Sequence, residues 1–223
     1  MIETAGLKFS YSQKKEFELD VPFLNFREGE ITSLIGPNGS GKTTLLKIIT
    51  GIIERFEGTV RIKGKDIRGY GSKDRGRLIA YIPQAGADIF DFSVEEIVSM
   101  GRRPYMSFGA GAGKEGIKKI NAALESFGLS DKKHRKMSEL SGGERKAVYI
   151  CRAIVQEAEI LVMDEATAFL DIHHTADTLK SIKKLAKEGK TVITVSHDIN
   201  LCSEISDEIV LMKNGKVKRT GKP

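Results

Sequence analysis

Cysteine is scarce in this chain. Its two thiols, Cys151 and Cys202, lie far apart without C-x-x-C spacing, which excludes a disulfide framework and gives no support to a zinc site. Both read as small buried apolar residues. No apolar run approaches the roughly 18 residues that a membrane span needs. The opening Met1-Ile2-Glu3-Thr4 has neither a basic start nor an apolar core, so no cleaved export signal is expected and the cytoplasm is the expected compartment. A basic stripe studded with aromatics is also missing. The net charge of +6 comes from dispersed residues, and nucleic acid is not expected as a partner. Internal repeats and low-complexity tails are absent.

What is present is a globular composition, 40% apolar and 30% charged over 223 residues, long enough to bury a real core. Five short, β-branched apolar runs read as buried strands of a mainly parallel sheet: Ile31 to Ile35, Leu78 to Ile82, Ile160 to Met163, Thr191 to Val195 and Ile209 to Met212. Helical spacing lies between them, as in Ile117, Ile120, Leu124 and Phe127, or Leu179, Ile182 and Ala186. Strands alternating with helices imply an α/β layer architecture. In the opening third, Leu7 to Tyr11, Phe17 to Leu19 and Thr59 to Lys63 alternate apolar with polar, as antiparallel strands with one exposed face do. The expected organisation is one α/β domain. Its nucleotide-binding core is 1–85 and 158–223, and a helical subdomain, 86–157, is inserted between them.

Gly36-Pro37-Asn38-Gly39-Ser40-Gly41-Lys42-Thr43 fits G-x-x-x-x-G-K-[ST], the loop whose backbone N–H groups surround phosphates. An apolar strand leads into it and Thr43-Thr44-Leu45-Leu46 opens a helix, so the phosphates would rest on a helix N-terminus. Lys42 would reach the terminal phosphates and Thr43 would ligate Mg²⁺. Ile160 to Met163 delivers Asp164 and Glu165 at a strand's C-terminal end, where α/β proteins place their ligands. Asp164 would hold Mg²⁺ through its water shell and Glu165 would act as general base on the attacking water. Two other patterns mislead. Gly111-x-Gly113-x-x-Gly116 matches the dinucleotide fingerprint, but no strand precedes it and Pro104 marks a helix end. His173 and His174 are adjacent, so on a helix they point apart and cannot readily close on one metal ion.

With these motifs in order, and with Leu140-Ser141-Gly142-Gly143-Glu144 between them, the chain resembles over essentially its full length the nucleotide-binding subunit of an ATP-binding cassette (ABC) transporter. That resemblance implies a P-loop NTPase (RecA-like) parallel-sheet core with an N-terminal antiparallel β subdomain and the inserted helical subdomain. It also implies that ATP and Mg²⁺ are the cofactors. Leu140 to Glu144 is similar to the family signature, with Glu144 where glutamine is commoner. By the same resemblance Gln84 touches Mg²⁺ and senses the membrane partner. Asp171, in Phe169-Leu170-Asp171, communicates across a dimer, although Phe169 departs from the small residue usual there. His197 is the switch histidine at the terminal phosphate. Tyr11 stacks on adenine, with Phe9 and Phe17 as competitors for that place.

The resemblance further implies a head-to-tail dimer, in which each ATP lies between Gly36 to Thr44 of one copy and Ser141 to Gly143 of the other. Leu170-Asp171-Ile172 with its following histidines, Phe92 to Val98 and Met100 to Tyr105 resemble importers of iron-siderophores, haem and cobalamin. Transmembrane permease subunits, docking near Ala85 to Met106, are then the partners, with an extracytoplasmic substrate-binding protein acting indirectly. The chain would sit on the cytoplasmic face of the membrane. Two readings compete: a soluble ATPase of the same superfamily, as in iron-sulfur cluster assembly, and a nucleotide-gated regulatory module that does not hydrolyse.

Overall fold

The structure is a computed structural model that describes residues 1–11, 17–84, 92–107, 109, 111–164, 182–196 and 198–223. Among these residues ten strands form one sheet: β1 (Ile2–Phe9), β2 (Leu19–Phe26), β3 (Ile31–Ile35), β4 (Glu57–Ile62), β5 (Lys65–Asp66), β6 (Ile79–Ile82), β7 (Ile160–Asp164), β8 (Thr191–Val195), β9 (Glu208–Lys213) and β10 (Lys216–Gly221). Their spatial order is β5-β4-β1-β2-β10-β9-β3-β8-β7-β6. From β9 to β6 every pairing is parallel. The pairings among β1, β2, β4 and β5 are antiparallel.

Strand β10 joins the two halves. It runs antiparallel to β9 and meets β2 in a single parallel pairing, Lys216 with Asp20. The β9–β10 turn is Asn214-Gly215, with φ of 51° and 71°. Positive φ at both central positions is the type I′ pattern that matches strand twist. The turn is also wedged in place. The Gly215 N–H donates to the Ser40 carbonyl at 3.1 Å, its own carbonyl accepts from the Asp20 N–H at 2.8 Å, and a Cβ at Gly215 would lie 1.8 Å from the Glu18 oxygen.

The expected strands are present with shifted ends. Leu78 closes helix α2 (Ser72–Leu78) instead of opening β6. Strand β1 stops at Phe9, and β2 starts only at Leu19, leaving Tyr11 and Phe17 outside the ladder. Alternation along the central strands sorts the core onto two faces. Ile160 and Val162 pack with α1 (Lys42–Ile49) and the antiparallel strands, whereas Leu161 and Met163 face the helices of the middle third. Covering both faces is what makes these runs continuously apolar.

In the middle third, α3 (Val94–Met100) and α4 (Gly113–Ser126) both pack on α5 (Gly142–Val155). Pro104 sits in a 3₁₀ turn, Arg103–Tyr105, right after α3. The Gly113 of the misleading fingerprint simply opens α4. Side chains on the last turn of α5 tie this block to the sheet: Arg152 Nη2 donates to the Tyr81 carbonyl at 2.9 Å, and Gln156 Nε2 donates to the carbonyls of Gly76 and Ile79 at 2.6 and 2.7 Å. Cys151 and Cys202 are both buried free thiols, as expected.

Candidate functional site

Strand β3 ends at Ile35, and the loop Gly36 to Gly41 turns the chain into α1. Gly36 has φ of 149°, and a Cβ there would lie 2.1 Å from the Met212 carbonyl oxygen. The loop can therefore hug β9 only with glycine at that position. Gly41 caps α1 without a side-chain hydrogen bond, and the first turn carries no acid, which leaves that end of the helix electropositive. Lys42, only 5% exposed, bends back so that Nζ donates to the carbonyls of Gly36 at 2.8 Å and Pro37 at 3.1 Å. Ser40 Oγ is buried with no hydrogen-bond partner. An orphaned hydroxyl inside a loop of this shape is what a phosphate oxygen would satisfy.

The loop floors a cleft of about 720 Å³, lined by Tyr11, Phe17, Asn38, Gly39, Ser40, Gly41, Lys42, Thr43, Thr44 and Gln84. That size suits a nucleotide. Tyr11 is 62% exposed at its mouth, edge-on to Phe9 with centroids 4.8 Å apart, and its hydroxyl lies 3.3 Å from Thr44 Oγ1. An exposed ring held by its hydroxyl offers a face to a planar base.

Below the loop, Thr43 Oγ1 donates to Asp164 Oδ1 at 3.1 Å, and the Tyr81 hydroxyl donates to Asp164 Oδ2 at 3.2 Å. Asp164 is fully buried at the end of β7. Burial, and then the neighbouring Asp164 charge, hold the Tyr81 phenol well above its ordinary range, so it stays a donor. A hydroxyl and a carboxylate, both oxygen ligands, fit a hard divalent cation such as Mg²⁺, which takes its remaining ligands from water and phosphate. No cluster of three or more His, Cys, Asp or Glu suited to a metal exists among the described residues.

Ser141, Gly142 and Gly143 open α5, and none of them lines this cleft. Ser141 Oγ accepts from the Glu144 N–H at 3.2 Å, while Glu144 Oε2 accepts from the Ser141 N–H at 2.7 Å, a reciprocal cap. Lys132 Nζ donates to Glu144 Oε1 at 2.6 Å. That bond, followed by the Ser141 N–H, holds the Glu144 carboxyl down at about 2. Ser141 and Gly142 are exposed.

Glu165, Asp171, His173, His174 and His197 lie outside the described residues. The strands that lead to Glu165 and His197 do end together, since Asp164 on β7 is registered with Val195 on β8, next to β3. Sequence reasoning missed Tyr81 and Lys132. Tyr81 was detectable as a polar aromatic in an otherwise apolar strand, three residues before Gln84. Lys132 gave no signal, because its contact with Glu144 is tertiary.

Residues 19–168 match the family model described as ABC transporter. The petrobactin import ATP-binding protein FpuC of Bacillus anthracis is 35% identical over 97% of this chain and 80% of its own length. The cobalamin import ATP-binding protein BtuD of Halobacterium salinarum is 36% identical over 92% of this chain, which spans 51% of that protein. Among solved structures, the dimeric post-hydrolysis state of the ATP-binding cassette MJ0796 bound to ADP and Pi superposes with a TM-score of 0.84 at 28% identity, over all of this chain and 98% of that one. No described helix is long and apolar enough to cross a membrane. The chain belongs to the ABC transporter family and is one of its ATP-binding, ATP-hydrolysing cassettes.

Proposed function

We propose that two copies of this chain clasp two ATP·Mg²⁺ head to tail, and that their closure and reopening drive a permease that imports a metal chelate or corrinoid. One observation carries the reading. The exposed start of α5, a ready anion site, takes no part in the cleft of its own chain, so its phosphate must come from elsewhere. The dimeric state of the MJ0796 cassette and the import functions in the names of FpuC and BtuD support it.

In this reading Gly36 to Thr44 hold the phosphates, Tyr11 meets the base, and Thr43, Asp164 and Gln84 hold Mg²⁺, directly or through water. Bound Mg²⁺ supplies charge neutralisation of the transferring phosphoryl group. Glu165 takes the proton of the attacking water, and His197 and Lys42 stabilise the terminal phosphate. Ser141, Gly142 and Gly143 close the site from the second copy, and Asp171 relays its state. Residues 86–157 form the helical subdomain, and the surface around 85–106 seats the permease on the cytoplasmic face of the membrane. A substrate-binding protein supplies the cargo from the other side.

The test is Glu165→Gln. Turnover should fall on the order of 10² to 10⁴-fold with ATP binding kept, and sedimentation should show a stable nucleotide-filled dimer. Wild-type turnover per chain that stays constant on dilution to pure monomer would overturn the reading.

A further inference from the structure

We propose that Lys132 is a charge-compensating residue for ATP-driven dimer closure: its ammonium, seated on Glu144, cancels a carboxylate charge that would otherwise repel the terminal phosphate arriving at the start of α5. The inference rests on the proposed head-to-tail reading. A phosphate docks at a helix N-terminus because the N–H groups there carry net positive charge. Glu144, three residues into α5, subtracts from that charge, since its Oε2 already holds the Ser141 N–H at 2.7 Å. Lys132 restores the balance through the other oxygen at 2.6 Å.

The pair is only about a quarter exposed, 24% for Lys132 and 25% for Glu144, so solvent screens it less than a free surface pair. The lysine comes from the 3₁₀ turn Ser130–Lys132, a separate element, and its other close charges are Asp131 and Arg135. Arg145, the next residue of α5, points its Nη1 at the Leu140 carbonyl at 2.9 Å. The Glu144 carboxylate is thus tied at both oxygens, and Ser141 Oγ accepts from the Glu144 N–H.

The experiment compares wild type, Lys132→Met, Glu144→Gln, the double variant and Lys132→Arg. Sedimentation in Mg²⁺ and a non-hydrolysable ATP analogue, at several salt concentrations, reads dimer affinity. A fluorescent ATP analogue at high dilution reads nucleotide affinity of the monomer. Lys132→Met should weaken the dimer by about threefold to tenfold at each of the two symmetry-related contacts, most at low salt, with monomer affinity unchanged. Lys132→Arg should match wild type. The double variant should match Glu144→Gln alone, because no carboxylate is left to compensate. Equal weakening by Lys132→Met with Glu or with Gln at 144, or no weakening, overturns the compensation while leaving the dimer reading intact. A wild type that stays monomeric at saturating analogue overturns both.

Discussion

Thr43 and Asp164 are joined by a 3.1 Å hydrogen bond that spans the gap between the phosphate loop and strand β7. Two elements 121 residues apart in sequence thus meet at the proposed Mg²⁺ position. Tyr81 secures the other carboxylate oxygen, so Asp164 enters the site with its orientation already set.

Removing that phenol has a defined cost. Tyr81→Phe leaves the ring in place and deprives a fully buried carboxylate of a donor. Stability should drop by about 1.5–3 kcal/mol, the range for hydrogen bonds to charged groups. Chemical denaturation measures this, and titrating Mg²⁺ against the affinity for a fluorescent ATP analogue should show a weakened cation dependence.

Two glycines of the phosphate loop should behave differently. Gly36→Ala forces a Cβ to within 2.1 Å of the Met212 oxygen and should cost more than about 3 kcal/mol, with loss of ATP binding. Gly39→Ala meets nothing within 4 Å and carries only the left-handed backbone cost at φ of 74°, about 1–2 kcal/mol. Urea midpoints of the two variants give the comparison directly.

Acid should loosen the start of α5. The Glu144 carboxyl sits at about 2 in the folded chain against an ordinary 4.5, so its stabilising contribution is whole above pH 4.5 and disappears as pH falls from there towards 2. The amount should be about 1 kcal/mol or less, as for other ion pairs near a surface. Glu144→Gln should lack this part of the pH dependence, and the difference between the two stability curves from pH 6 to 2.5 isolates it.

Lys42→Met should abolish tight nucleotide binding without unfolding the chain. Its ammonium donates to two carbonyls of the phosphate loop itself, those of Gly36 and Pro37. Equilibrium titration with the fluorescent analogue should show at least a tenfold weaker complex, in line with loss of a charge-assisted phosphate contact. Circular dichroism should be unchanged.

The parallel core was readable because its strands are buried on both faces and announce themselves as unbroken apolar runs such as Ile160 to Met163. The phosphate loop was readable because a few consecutive residues carry its chemistry. Strand β10 was missed, since Lys216–Gly221 is largely exposed and shows no apolar alternation; the unread signal was Asn214-Gly215, a hairpin dipeptide. Helix α2 was missed for a related reason: its one buried residue, Leu78, reads as the first residue of the next strand. The contact of Lys132 with Glu144 depends on tertiary approach and leaves no trace in local sequence, whereas Tyr81 stands out in its strand but its partner Asp164 does not follow from that.

The grip of Arg152 and Gln156 on three carbonyls, those of Gly76, Ile79 and Tyr81, makes the far end of α5 a pivot. Fourteen residues of helix form a rigid arm about 21 Å long. A tilt of roughly 10° about that pivot sweeps Ser141 through roughly 4 Å, more than a hydrogen bond's length. In the proposed dimer, a small rotation imposed on the helical block would therefore be enough to engage or release the phosphate at Ser141.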